Sequence, residues 1–236
     1  MSVFSFKQFD VDDYGCGMKI CSDSVTFGAW FLGRYAEAQR VLDIGAGSGL
    51  LALMAAQFMP EARITAVEID PGAAAAATRN LRTSRWTARF DVVSDDFNLF
   101  TPSAKADIIV SNPPFFTTGL LAPDPQRAAA RHGCTLTTRS LFAYGRRWLA
   151  PDGHLGLILP AERLDDAIFE GELEGLKLRR YGHIIPRRGK SPIRALFDFS
   201  ITDGPIERTD VVMREADGTL TEDYRNLVQP FYTKIS

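Results

Sequence analysis

The chain has 236 residues, 45% of them hydrophobic and 24% charged, with a formal net charge of −2. These are the values of an average globular domain; they exclude collagen, a coiled coil or a disordered tail, and no apolar run is long enough to span a bilayer. The start shows no basic segment followed by an apolar core, and three cysteines without Cys-x-x-Cys spacing beside three histidines argue against zinc, so no metal, no membrane and a cytoplasmic location are expected.

In chain order, a short N-terminal segment leads to a helix starting near Val25. Arg40–Ile44 is a buried strand ending in a glycine turn, and Leu50–Phe58 a helix closed by Pro60. Arg63–Glu68 is the second strand. Pro71 then opens an alanine-rich helix to about Leu81, at a first-turn position where its missing N–H costs nothing. Arg89–Ser94 and Asp107–Ser111 are the third and fourth strands, followed by a loop rich in proline and glycine from Pro113 to Pro125. A helix over Leu141–Leu149, a strand over His154–Leu159 and a helix over Leu164–Leu173 come next. Leu176–Ile185 and Leu196–Ile201 read as late strands of the same sheet, joined by a hairpin-like connection at Pro186–Pro192. Short β-branched runs alternating with helical patterns give βαβ units. The expectation is therefore an α/β, Rossmann-like domain over residues 1–236, a seven-stranded mostly parallel mixed sheet with helices on both faces and an N-terminal extension at 1–30.

The charge is unevenly distributed. Residues 127–194 hold 13 Lys+Arg against 7 Asp+Glu, while the segments on either side are net acidic. Lys177–Arg194 carries seven basic residues and no acid. Such a run is either a solvated strand and loop or a surface that neutralises a phosphate backbone.

Three strand ends carry chemistry. Val41–Leu50 reads VLDIGAGSGL, and glycines at 45, 47 and 49 allow a ligand to approach the backbone. The dinucleotide pattern GxGxxG is not met. Asp43 ahead of these glycines would repel a pyrophosphate but suits a cation such as the amino group of S-adenosylmethionine. The second strand ends VEID, which places Glu68, followed by Ile69, where an acid accepts ribose hydroxyls. The third ends SDDF: Asp95 or Asp96 can receive an adenine amino group while Phe97 packs beside the ring. Together these resemble the class I S-adenosylmethionine methyltransferases.

The fourth strand ends in Asn112-Pro113-Pro114-Phe115. An exocyclic amine conjugated with its ring has its lone pair tied up. Two acceptors, the Asn112 side-chain oxygen and the Pro113 carbonyl, can hold both N–H bonds and turn that lone pair toward a methyl donor. The prolines restrict the backbone in advance, and Phe115 offers a face on which a base stacks. The tetrapeptide resembles the NPP(Y/F) motif of methyltransferases that act on amines of adenine, cytosine, guanine or glutamine.

Three further segments resemble one family, the bacterial valine-tRNA adenine-N6 methyltransferases. They are Phe6–Trp30 (FKQFDVDDYGCGMKICSDSVTFGAW), with Cys21-Ser22-Asp23-Ser24 where GTDG is commoner, Asn112–His132 (NPPFFTTGLLAPDPQRAAARH), and Arg187–Leu196 (RRGKSPIRAL). With the cofactor motifs, the likeness spans nearly the whole chain. It implies methyl transfer from S-adenosylmethionine to the N6 amine of an adenosine next to the anticodon of a valine tRNA. Separately from the likeness, the protein is expected to be a monomer. The likeness also implies that the opening segment borders the cofactor pocket, with Lys19, Ser22 and Asp23 lining it; a helix cap is the other reading of Ser22 and Asp23. Lys7, Arg131, Arg187, Arg188, Lys190 and Arg194 are the candidates for RNA phosphate, whereas His132 fits ordering of its own loop better. The rival readings are a protein-glutamine methyltransferase, a ribosomal-RNA amino-methyltransferase and a non-catalytic RNA-binding module.

Overall fold

The computed structural model describes residues 3–114 and 136–234. Strands β1 (Val3–Ser5) and β2 (Asp10–Asp12) form a small antiparallel ribbon. The main sheet contains β3 (Arg40–Ile44), β4 (Arg63–Val67), β5 (Phe90–Val93), β6 (Ala106–Ser111), β7 (Leu149–Pro160), β8 (Lys177–Ile185) and β9 (Arg194–Ser200). Its order is β8-β9-β7-β6-β3-β4-β5, and only β9 runs antiparallel to its neighbours. These are the seven expected strands. Two more pair in parallel with β8 at the outer edge, β10 (Glu207–Arg208) and β11 (Val211–Val212), so the sheet has nine strands rather than seven. Each addition is two residues long, too short to leave an alternating pattern.

The described helices are α1 (Ser22–Leu32), α2 (Leu50–Phe58), α3 (Pro71–Thr83), α4 (Thr138–Trp148), α5 (Leu164–Leu173) and α6 (Glu222–Val228). α4 starts one turn before the expected position because Thr137 and Ser140 form a reciprocal capping box. β7 starts earlier than expected as well. Its pairing with β6 jumps from Ala106↔Leu149 to Ile108↔His154, which accommodates the Pro151–Gly153 segment.

The segment expected as an extension supplies a core helix. All of α1 from Ser24 to Leu32 is buried, and it packs on α2 at Gly28, where a Cβ would meet the Met54 side chain at 2.6 Å. A helix apolar on nearly every side needs such cover from all directions. It therefore sits between α2, β9 and α6. One core layer runs through Phe27, Phe31, Leu53, Ile64 and Phe231, and the other face of the sheet packs Ile44, Phe142, Leu157 and Phe199. None of the described helices is long and apolar enough to cross a membrane.

Candidate active site

Parallel strands place their carboxyl ends along one edge of the sheet, and the start of α1 meets them there. After β3, Gly45, Gly47 and Gly49 all take positive φ (69°, 56° and 79°). Gly47 is the telling position, because a Cβ there would meet no atom within 4 Å. The space above it is open to a ligand, and its left-handed backbone disfavours any side chain. The turn is held from below by the Val67 carbonyl, which accepts from the N–H groups of Gly45 (2.9 Å) and Ala46 (3.2 Å). Glu68 holds it from the side: Oε2 accepts the Gly47 N–H at 2.8 Å and Oε1 the Asp70 N–H at 2.9 Å. Each oxygen keeps a further lone pair for a hydroxyl. Beside it Ile69 leaves a large apolar side chain half exposed.

Asp43 is only 1% exposed. Its Oδ2 accepts the Ala52 N–H at 3.0 Å, while Oδ1 is buried with no hydrogen-bond partner among the described residues. Burial pushes this carboxyl up to about 7; the Ala52 hydrogen bond opposes the rise and the negative Glu68 adds to it. A buried carboxylate with one oxygen unsatisfied is a docking point for a cation. Orphaned Asp43 and open Gly47 thus fit the amino-acid end of S-adenosylmethionine.

After β5, the exposed Asp95 accepts the N–H of Asp96 at 2.7 Å. Asp96 instead closes the next turn, its Oδ1 taking the Asn98 N–H and Nδ2 at 2.9 Å each. Asp95 is therefore the less committed acid for an adenine amine. Phe97 departs from expectation. It is 5% exposed and packs edge-on against Tyr144, centroids 5.4 Å apart, so the face expected beside an adenine ring is covered by protein.

After β6, the Ser111 hydroxyl donates to the Ile44 carbonyl at 2.7 Å and locks the two strand ends together. Asn112 follows. Its Nδ2 donates to Ser24 Oγ at 2.8 Å, and its Oδ1 is buried with no partner among the described residues. Pro113 is buried and Pro114 partly so. Phe115, Arg131 and His132 lie outside the described residues. Ser24 is a contact that sequence reasoning missed: it stands 88 positions away, and a serine in a helix's first turn has many ordinary uses.

Other expected roles are redistributed. The α1 N-cap is Cys21, with no side-chain cap from Ser22 or Asp23. Ser22 is exposed, while Asp23 Oδ2 pairs with Arg194 Nε at 3.0 Å, so a presumed pocket residue and a presumed phosphate ligand bind each other. Lys19 is held by Asp13, donating to its Oδ1 and its carbonyl at 3.1 Å each, which takes that ammonium away from a lining role. The loop itself does lie against the start of α3, where a Cβ on Gly72 would come within 3.1 Å of the Gly15 carbonyl oxygen. Lys7 donates to the Gln229 carbonyl at 2.6 Å. Arg188 forks onto Glu215 at 2.6 and 3.0 Å. Arg187 and Lys190 are exposed on the β8–β9 hairpin, and the pairing Pro160↔Arg194 puts that hairpin at the site's edge of the sheet.

Residues 21–174 match the family model for the methyltransferase small domain. A protein of Aeromonas hydrophila, named tRNA1(Val) (adenine(37)-N6)-methyltransferase, is 40% identical over 99% of this chain and 98% of its own length. A protein of the same name from Porphyromonas gingivalis is 39% identical over 98% and 95%. Among solved structures, a predicted O-methyltransferase from Agrobacterium tumefaciens superposes with a TM-score of 0.66 at 19% identity, covering 87% of this chain and 95% of that one; it supports the fold.

Proposed function

From the premise that the chain belongs to the tRNA1(Val) (adenine(37)-N6)-methyltransferase family, we propose that it methylates the N6 amine of adenosine 37, beside the anticodon of a valine tRNA. S-adenosylmethionine, the cofactor of this fold, supplies a methyl group on a cationic sulfur that leaves as a neutral thioether. The observation that carries the residue assignment is the Oδ1 of Asn112, buried and without a partner among the described residues, set at a strand end beside Asp43 and the glycine turn.

In this reading Asp43 takes the cofactor's ammonium, Glu68 its ribose and Asp95 its adenine amine. Asn112 Oδ1 and the Pro113 carbonyl accept the two N–H bonds of the target amine, and the held amine presents its lone pair in line for transfer. No strong base is required, because the nitrogen becomes far more acidic once it carries the fourth bond. The base has to leave any stack to reach this cleft, and an anticodon loop already splays its bases. Arg187 and Lys190 take backbone phosphate, and Arg188 can join them by releasing Glu215. In this reading the protein works in the cytoplasm, alongside its tRNA substrate.

The test is label transfer from radiolabelled S-adenosylmethionine to RNA from a strain lacking the gene. Label in N6-methyladenosine of a valine tRNA is expected, and label confined to ribosomal RNA or to protein glutamine overturns the substrate. Asn112→Ala is expected to lower turnover about 100-fold or more with little change in cofactor affinity. Near-normal turnover would overturn the role of Asn112.

A further inference from the structure

We propose that Ser24 is a positioning residue for the transfer: its hydroxyl fixes the rotation of the Asn112 amide so that Oδ1, not Nδ2, faces the target amine. The inference rests on the function proposed above and goes beyond it, because it gives Ser24 a role that is exerted through Asn112.

An asparagine amide has two ends of nearly equal shape, one an acceptor and the other a donor. Turned by 180°, Asn112 would aim two N–H bonds at an amine that also offers N–H bonds, and the lone pair would not be steered. In this chain one end is held. Ser24 Oγ accepts from Nδ2 at 2.8 Å, which leaves Oδ1 as the other end, buried and without a partner among the described residues. Cys21 Sγ lies 3.4 Å from the same hydroxyl. Whichever of the two donates there, Oγ keeps a lone pair for Asn112. A donor bond at Nδ2 also polarises the amide and makes Oδ1 a better acceptor.

The hydroxyl can act this way because both of its supports are rigid. Ser24 lies in the first turn of α1. Asp23 ties that turn to Arg194 of β9 at 3.0 Å, and Thr26, whose hydroxyl donates to the Ser22 carbonyl at 2.7 Å, lies 3.4 Å from Tyr224 Oη of α6. On the other side Asn112 directly follows Ser111, which is bonded to the Ile44 carbonyl. The amide is therefore held between two strands and a buried helix, and the Ser24 bond sets its remaining rotation.

Ser24→Ala is expected to lower kcat about tenfold, the worth of one orienting hydrogen bond, with KM for tRNA and Kd for S-adenosylmethionine within about twofold of wild type. Ser24→Thr, which restores a hydroxyl, is expected to recover most of the loss. In an Asn112→Ala background Ser24→Ala is expected to change nothing further, since the group it orients is gone. A Ser24→Ala enzyme of full kcat, or an additional loss in the Asn112→Ala background, overturns the proposal. So does a loss confined to KM or accompanied by weakened cofactor binding, which would mark a merely structural contact. If wild type transfers no label to RNA, the functional reading and this inference fall together; if wild type is active and Ser24→Ala equally so, this inference alone falls.

Discussion

Two buried aspartates on neighbouring parts of the same sheet are treated in opposite ways. Asp198 on β9 is 3% exposed and has partners for both oxygens: His154 Nδ1 lies 2.6 Å from Oδ1, the Tyr35 hydroxyl donates to Oδ2, and Arg180 Nε sits 3.7 Å from Oδ2. Arg180 is in turn stacked on Trp30 at 3.6 Å and donates to the Trp30 carbonyl. Asp43 on β3 is as deeply buried, yet has one backbone partner and one orphaned oxygen. The first arrangement satisfies a charge with protein groups and so ties β7, β8, β9 and the end of α1 together. The second leaves an oxygen with no partner among the described residues, the feature on which the proposed ligand role of Asp43 rests.

The strongest way to break this contrast is Asp198→Ala. It leaves Arg180 buried without its acid and is expected to cost about 3–5 kcal/mol of stability in denaturant unfolding, with cofactor affinity per folded molecule unchanged. Equal losses in stability and in cofactor affinity would show that the two sites are not separate.

Asp43→Asn should act in the reverse sense. The folded carboxyl sits at about 7, above the unfolded value near 3.9, so Asp43 favours the ligand-free fold only while it is protonated. Below about pH 4 it makes no pH-dependent difference; between about pH 4 and 7 the wild type loses about 1.4 kcal/mol per pH unit relative to the Asn variant, and above 7 the difference levels off. Unfolding curves of the two proteins at four or five pH values measure this directly, and a difference independent of pH would contradict it. Cofactor binding runs the other way, since a cation prefers the ionised acid. Affinity of the wild type is expected to rise about fivefold from pH 6 to 7, and that rise should vanish in Asp43→Asn. A flat wild-type titration would remove Asp43 from the cofactor's ammonium.

The smallest effect concerns the basic hairpin, where Arg188 is paired with Glu215 and Arg187 and Lys190 have no ion pair among the described residues. Arg187→Ala with Lys190→Ala is expected to flatten the log–log salt dependence of tRNA binding by about 1.5 units, and adding Arg188→Ala should contribute less because Glu215 competes for that guanidinium. An unchanged slope in the double variant would move the RNA elsewhere.

How much of this was legible in the sequence depends on whether the signal was local. Arg40–Ile44, Leu50–Phe58 and Leu164–Leu173 were readable to the residue, since β-branched runs, proline stops and helical spacing are written within a single element. That Asp43, the glycines, Glu68 and Asn112 stand together at strand ends was readable for the same reason. Pairings across the fold were not. Nothing near Asp23 announces Arg194, and nothing near Asn112 announces Ser24, because each bond joins segments that the topology alone brings together. The contact of Phe97 with Tyr144 was hidden by the same limit, since it joins a strand-end residue to a helix 47 positions away.

The clasp between the two ends of the described chain bears on how the enzyme is born. Phe6 bridges Tyr232, Lys7 binds the Gln229 carbonyl, and α6 covers the outer side of α1 next to Thr26. Ser24 and Asp23 leave the ribosome early, but their helix lacks its cover until α6 has followed, 198 residues after Thr26 in the case of Tyr224. At roughly 5–20 residues per second that is a wait of about 10–40 s. During that interval α1 still lacks the helix that completes its burial. A chain that stops short of Glu222 would lack Tyr224, Val228 and Phe231 from the core layer that holds α1.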